Sequence, residues 1–515
     1  MPRPRRLPAL GAIAAVVLFL AACAAPPAAG GAGSPGTAPI RWAPCPDLPG
    51  VECGSLEVPL DRADPAGGTV TLAAARLPAR DPEHRIGSVV LHRGGPGYGT
   101  VDYLGLVAAG TLPAPVDDAV RDRYDVVAVD QRGTGRSGPR IDCGGRVTDP
   151  VAYPDSHSAL TDRVARDDRV RARCAAGSGG ALAHVSTVDA ARDLDEVRAS
   201  LGEERLDLVG QSYGTFLAVV YADLFPDRVG RFVLDSVIDA PGRAAAGRST
   251  MSARTRPDVG TEETLTEFLD ACRAGGPRCA FGGSDPAGAL DRLLARLPAT
   301  VGAKDPRVLT APDVVGQIGA LLYQPSTWRS TLAPFLGAVE QALTDPRGAV
   351  GDAVATGVAV RAAGDPTAEA VMSAFAAVTC SETAGPGTAD EYAASVDDRT
   401  AMAPRFAALR AEETLLCLGW PARAAAPLPR LDAPIRTSGR VLLVNDRSDP
   451  ATPLPGARAT QRLLPGSSLL VVDGPGHVAA QQSRCSVTAT SGFLVDGDLP
   501  ADGTVCPPDR APFAP

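Results

Sequence analysis

Gly210-Gln211-Ser212-Tyr213-Gly214 places a serine midway between two glycines. The residues before it, Leu206 to Gly210, read as a strand, and Tyr213 to about Phe225 reads as a helix. A strand-to-helix turn this abrupt needs small flanking residues, because the backbone around the serine is crowded and strained. Such a turn lifts the Ser212 hydroxyl clear of the sheet and leaves the Tyr213 amide at a helix N-terminus, where it can meet a developing oxyanion. The chemistry implied is acyl transfer through a serine nucleophile. A serine hydroxyl is a poor nucleophile without a base, and the chain has five histidines: His84, His92, His157, His184 and His477.

The motif resembles the nucleophile elbow of the α/β-hydrolases, whose chain order is nucleophile, acid, histidine. In that order the base follows Ser212, and only His477 does. It lies in Asp473-Gly474-Pro475-Gly476-His477, a loop just beyond the last strand-like run. The acid should hold the other imidazole nitrogen and stabilise the imidazolium. Asp449 is the first choice, in the loop after Val441 to Asn445, with Asp446 on the same loop and Asp235 at an earlier strand end as rivals. A second oxyanion donor is expected from the loop His92-Arg93-Gly94-Gly95-Pro96-Gly97-Tyr98-Gly99. Consecutive glycines let a backbone amide turn inward without side-chain obstruction, and Gly95 is the expected donor.

These residues need elements to hold them. Strand-like runs Thr69 to Ala75, Ser88 to His92, Asp125 to Asp130, Arg231 to Asp235, Val441 to Asn445 and Ser468 to Asp473 alternate with helical segments. That alternation predicts a mostly parallel sheet with helices on both faces. From Ala240 to Arg430 the chain turns Ala/Leu-rich and helical, broken by Gly and Pro. The expected fold is therefore an α/β-hydrolase core in two parts, 40–239 and 431–515, split by a mostly helical cap at 240–430.

The 515 residues are long for one compact core, which agrees with a large insertion. Charge is mildly acidic, net −9, with no basic block, so nothing points to nucleic acid. Arg3, Arg5 and Arg6 precede the apolar run Leu10 to Leu20, which is too short for a comfortable membrane span. Leu20-Ala21-Ala22-Cys23 then resembles a bacterial lipobox, so 1–22 reads as a lipoprotein signal, Cys23 as the lipidated residue, and 23–39 as a flexible tether. The remaining ten of 11 cysteines fall into local couples: Cys45 with Cys53, Cys143 with Cys174, Cys272 with Cys279, Cys380 with Cys417, and Cys485 with Cys506. Disulfides are expected in an exported protein. No C-x-x-C pair occurs and the histidines are scattered, so no metal site is expected.

Together the motifs resemble the secreted tripeptidyl-aminopeptidase and proline-iminopeptidase-like branch of the α/β-hydrolases. The resemblance runs through Cys53-Gly54-Ser55-Leu56-Glu57-Val58-Pro59-Leu60-Asp61, the GGPG loop and Asp130-Gln131-Arg132-Gly133-Thr134-Gly135-Arg136-Ser137. It continues in Asp193-Leu194-Asp195, the elbow, Asp449-Pro450-Ala451-Thr452-Pro453 and Gly476-His477. It implies an exopeptidase that removes short peptides or single residues from free N-termini, without metal or organic cofactor; the lipobox-like leader would hold it to the membrane only by its N-terminal lipid, unless it is shed. It also implies an acidic residue for the substrate ammonium, and Glu382, just after Cys380, resembles that position. A carboxylesterase on the same triad is the alternative, and a non-catalytic surface-binding lipoprotein a more distant one. The chain departs from the family at His92-Arg93, where Asn-Pro is usual before GGPG, and at Tyr98-Gly99, where smaller residues are common.

Overall fold

A computed structural model describes residues 38–147, 157–298, 309–345 and 366–514. The signal, Cys23 and nearly all of the tether lie outside the described residues.

Ten strands form one sheet: β1 (Ala43–Pro44), β2 (Glu52–Pro59), β3 (Thr69–Leu77), β4 (Gly87–His92), β5 (Tyr124–Val129), β6 (Leu206–Gln211), β7 (Val229–Asp235), β8 (Arg440–Ser448), β9 (Ser468–Pro475) and β10 (Val505–Cys506). Their order is β1-β2-β3-β5-β4-β6-β7-β8-β9-β10. Strands β1 to β3 run antiparallel to their neighbours, and from β5 to β10 all pairings are parallel. The valine-rich β4 and β5 are buried at every position, as central strands covered on both faces must be. The expected strands all form. β2 was not among them, because Glu52–Pro59 mixes polar and apolar residues on a half-exposed edge.

Helices cover both faces. On one side lie α1 (Thr100–Ala108) and α2 (Asp118–Arg123); α3 (His157–Ser178) follows in the chain. The opposite face carries α4 (Thr187–Ser200) and α5 (Tyr213–Leu224), the latter burying Phe216, Leu217 and Val220 completely or nearly so. Each such side chain contributes about 1.5–3 kcal/mol of apolar burial, so α5 is fixed and its first residue with it.

Between β7 and β8 the described chain is helical. It comprises α6 (Ala240–Ala244), α7 (Met251–Thr255), α8 (Pro257–Gly275), α9 (Pro286–Arg296), α10 (Ala311–Leu321), α11 (Ala333–Thr344), α12 (Pro366–Glu382), α13 (Ala389–Thr400) and α14 (Ala407–Glu412). Part of it has a core of its own around Phe268, Trp328 and Leu336. The last two helices, α15 (Leu454–Leu463) and α16 (Arg484–Asp496), return to the sheet, one to each face. All five expected cysteine couples are bonded. Among the described residues no helix is long and apolar enough to cross a membrane.

Candidate active site

Ser212 sits between β6 and α5 with φ 53° and ψ −120°, a conformation that L-residues avoid. Holding a non-glycine residue there costs about 1–3 kcal/mol, and the surroundings enforce it. The Ser212 amide donates to the Asp235 carbonyl at 2.9 Å, and its own carbonyl accepts from the Thr215 amide and hydroxyl. The flanking glycines are required by close approach: a Cβ on Gly210 would lie 2.6 Å from the Gly214 carbonyl oxygen, and one on Gly214 2.7 Å from that of His92.

Asp449 is buried, and both its oxygens face His477 Nδ1, at 2.9 and 3.0 Å. Burial by itself would raise the Asp449 pKa. The His477 charge and hydrogen bond, with the amides of Thr452 and Ala451, outweigh it and hold the carboxyl below its ordinary value. The Thr452 hydroxyl adds a bond of 2.8 Å to Oδ2. With Nδ1 turned to the carboxylate, Nε2 is the nitrogen left for proton transfer.

The two other candidates for the acid make no hydrogen bond with His477 and have different surroundings. Asp235 accepts the amides of Ala479 and Ala480, at 2.8 and 3.1 Å, and so pins the turn after His477. Burial pushes its pKa up to about 6, against the pull of those two amides. Ser236 takes the Val478 amide at 2.7 Å. Asp446 is wholly buried, and neither of its carboxyl oxygens has a hydrogen-bond partner among the described residues. Burial first, then the charges of Asp449 and Asp235, drive its pKa well up.

The helical stretch between β7 and β8 reaches His477 directly. The Tyr323 carbonyl accepts the His477 amide at 3.1 Å, and its ring meets the imidazole edge-on at 4.9 Å. Arg410 lies over the Tyr323 ring and donates to the Pro450 carbonyl beside Asp449. Tyr323 and Arg410, both from the helical stretch between β7 and β8, thus brace His477 and the Asp449 loop.

The Tyr213 amide is the first of α5, with no carbonyl a turn earlier to bond. The glycine loop crosses just above it, since a Cβ on Gly94 would lie 2.9 Å from Ser212 Cβ and 3.2 Å from the Tyr213 nitrogen. The Gly94 amide is engaged by His92 Nδ1 at 3.2 Å, which leaves Gly95 as the candidate donor from this loop. Burial lowers the His92 pKa to about 4, so the ring is neutral and able to accept. The conspicuous DQRGTGRS segment holds this loop in place. The Asp130 carboxylate accepts the amides of Thr100, Val101 and Arg136, and Arg132 forms a buried two-pronged pair with Asp193.

Glu382 is not brought to an open subsite. Its side chain has no exposed surface and faces Arg243 at 3.3 Å, while Thr187 donates to it through both amide and hydroxyl. Thr187 also bonds the Tyr213 hydroxyl at 2.7 Å, and Arg243 lies 5.3 Å over the Tyr213 ring. A substrate ammonium would have to displace Arg243 to reach this carboxylate.

Sequence reasoning missed Thr452, Tyr323 and the anchoring role of Asp235. Thr452 carried a signal, because Asp449-Pro450 favours a turn, which brings the residue three positions on back beside the aspartate. Tyr323 carried none, lying more than 150 positions from the histidine it touches.

Residues 87–262 match the α/β-hydrolase fold family and residues 403–506 the TAP-like protein family. Serine protease Hip1 of Mycobacterium tuberculosis is 31% identical, over 91% of this chain and 91% of its own. The chain belongs to the TAP-like α/β-hydrolases. This TAP-like protein is a serine hydrolase, similar too to the tripeptidyl aminopeptidase of Streptomyces lividans, at 28% identity over 92% of this chain and 87% of that one. Carboxylesterase B of M. tuberculosis is 29% identical, covering 98% of this chain and 99% of its own.

Proposed function

We propose that this protein is an exported serine peptidase that removes single residues or short peptides from free N-termini through an acyl-enzyme on Ser212. The observation that carries the reading is the buried Asp449–His477 pair, with Nδ1 bound by both carboxylate oxygens, tied through Asp235 to a strained serine elbow. Ser212 Oγ attacks the scissile carbonyl carbon as His477 Nε2 takes its proton. The carbonyl oxygen gains negative charge, which the amides of Tyr213 and Gly95 stabilise. Collapse of the tetrahedral intermediate breaks the C–N bond, and His477 returns the proton to the departing amine. Water, deprotonated by the same nitrogen, then releases the acyl group and restores Ser212.

The aminopeptidase relatives favour peptides with a free amine, and the helical cap over the site suits chain ends better than chain interiors. In this reading Glu382 supports Tyr213 instead of binding the ammonium. Five disulfides and the lipobox-like leader favour export with a lipid on Cys23. A carboxylesterase is the second reading, favoured by the relative of that name. Labelling with a fluorophosphonate tests the common chemistry: the mass increment belongs on the peptide containing Ser212 and vanishes in Ser212→Ala. Labelling elsewhere, or none in folded protein, would refute it.

A further inference from the structure

We propose that Arg93 is an anion subsite that selects substrates carrying a carboxylate on the departing side of the scissile bond; this rests on the hydrolytic reading above. Arg93 directly precedes the glycine loop and is partly buried. Its guanidinium carbon stands 4.8 Å from the Tyr98 ring centre and 5.3 Å from that of Tyr103. The Tyr98 ring in turn abuts the oxyanion loop, since a Cβ on Gly95 would lie 3.2 Å from its Cδ2. The cation is thus one ring away from the candidate oxyanion donor.

It is also uncompensated. The other arginines around the site are matched: Arg243 with Glu382, Arg410 with Glu413 and Arg447 with Asp473. The Arg93 guanidinium has no carboxylate or other hydrogen-bond acceptor among the described residues. Beneath it lie the buried Tyr103 hydroxyl and Gln211 amide, which adjoin each other and carry no charge. The Asp235 carboxylate below is taken by two backbone amides. A guanidinium held by aromatic faces, with its five donors free, is suited to a planar carboxylate.

Charge decides which part of the substrate this is. The acyl side of an aminopeptidase substrate carries an ammonium, which Arg93 repels. The departing side is protonated by His477, and the turn after His477 packs on the face of the sheet that holds α1 and Tyr103: Ala479, Val101 and Leu104 share one apolar cluster. The carboxylate is that of a departing amino acid or short peptide, or of an acidic side chain at its first position.

The test uses the full oxidised protein and two aryl esters of one acyl group, with 4-hydroxybenzoate or 4-hydroxybenzamide departing. The readout is the ratio of kcat/KM, acid over amide, within each variant, so that folding and overall rate cancel. Arg93→Gln is expected to lower the ratio about tenfold or more, Arg93→Lys to fall between wild type and Arg93→Gln because it keeps the charge but not the planar fork, and 0.5 M salt to compress it in the wild type. A ratio unchanged within twofold between wild type and Arg93→Gln would overturn the proposal. Turnover of neither ester by the wild type would overturn the hydrolytic reading itself. Peptides ending in acid or amide, and with Asp or Asn at the first departing position, separate the two carboxylate sources.

Discussion

The Ser212 amide donates to the carbonyl of Asp235 at 2.9 Å, while the carboxylate of the same aspartate holds the amides of Ala479 and Ala480. One residue at the end of β7 therefore sets the position of Ser212 against the loop that carries His477. Replacing it tests that spacing. Asp235→Asn keeps one acceptor but turns an NH2 toward a backbone amide, and kcat is expected to fall about tenfold. Stability carries a second signature. The ordinary carboxyl pKa is 3.8 and the folded one about 6, so between those values the native state retains a proton that the unfolded chain has lost. Wild-type stability therefore falls as pH rises from 4 to 6, by up to about 3 kcal/mol from this group. Urea unfolding across that range is expected to show the slope in wild type relative to Asp235→Asn.

His92 gives the opposite sign. Its pKa falls from 6.5 to about 4 on burial, so below pH 6.5 the unfolded chain takes up a proton that the native ring refuses. Stability is lost as pH falls through that window, by up to about 3 kcal/mol. His92→Asn is expected to remove this loss and retain activity, because its carbonyl can still accept the Gly94 amide. His92→Leu should lower kcat about tenfold by freeing the glycine loop. Equal kcat values for the two variants would contradict a supporting role.

Asp449 and Thr452 form a graded pair. Asp449→Asn reverses the hydrogen bond to Nδ1 and is expected to lower kcat by about 10³–10⁴ with little change in KM. Thr452→Val removes one of the bonds to that carboxylate, and a loss of about tenfold is expected. Burst kinetics with an activated ester would locate both losses in the acylation step.

Glu382→Gln separates support from amine recognition. With the carboxylate buried against Arg243 and Thr187, the substitution should lower kcat through Tyr213 and leave the preference for free over acetylated N-termini intact. Loss of that preference would restore Glu382 to an amine subsite.

Much of the candidate site was legible as a proposal because its determinants are local. The elbow announces itself through glycines that no Cβ could replace, and His477 was reached by elimination among five histidines. The ends of the expected strands fell close to the observed ones because β4 and β5 are continuous apolar runs. What escaped depends on contacts distant in sequence. Asp235 was weighed as the acid because it ends a strand, and nothing local distinguishes an aspartate that holds imidazole from one that holds two amides. Glu382 was assigned by resemblance alone; its burial against Arg243 follows from how α6 and α12 pack. Tyr323 lies in a cap whose alanine-rich helices hide which residues face the core domain.

The most direct test of the account is turnover of matched chromogenic peptides, with free and with acetylated N-termini, by wild type and Ser212→Ala. Cleavage of the free-amine series alone is expected, abolished by the substitution. Equal cleavage of both series, or cleavage that survives in Ser212→Ala, would contradict it.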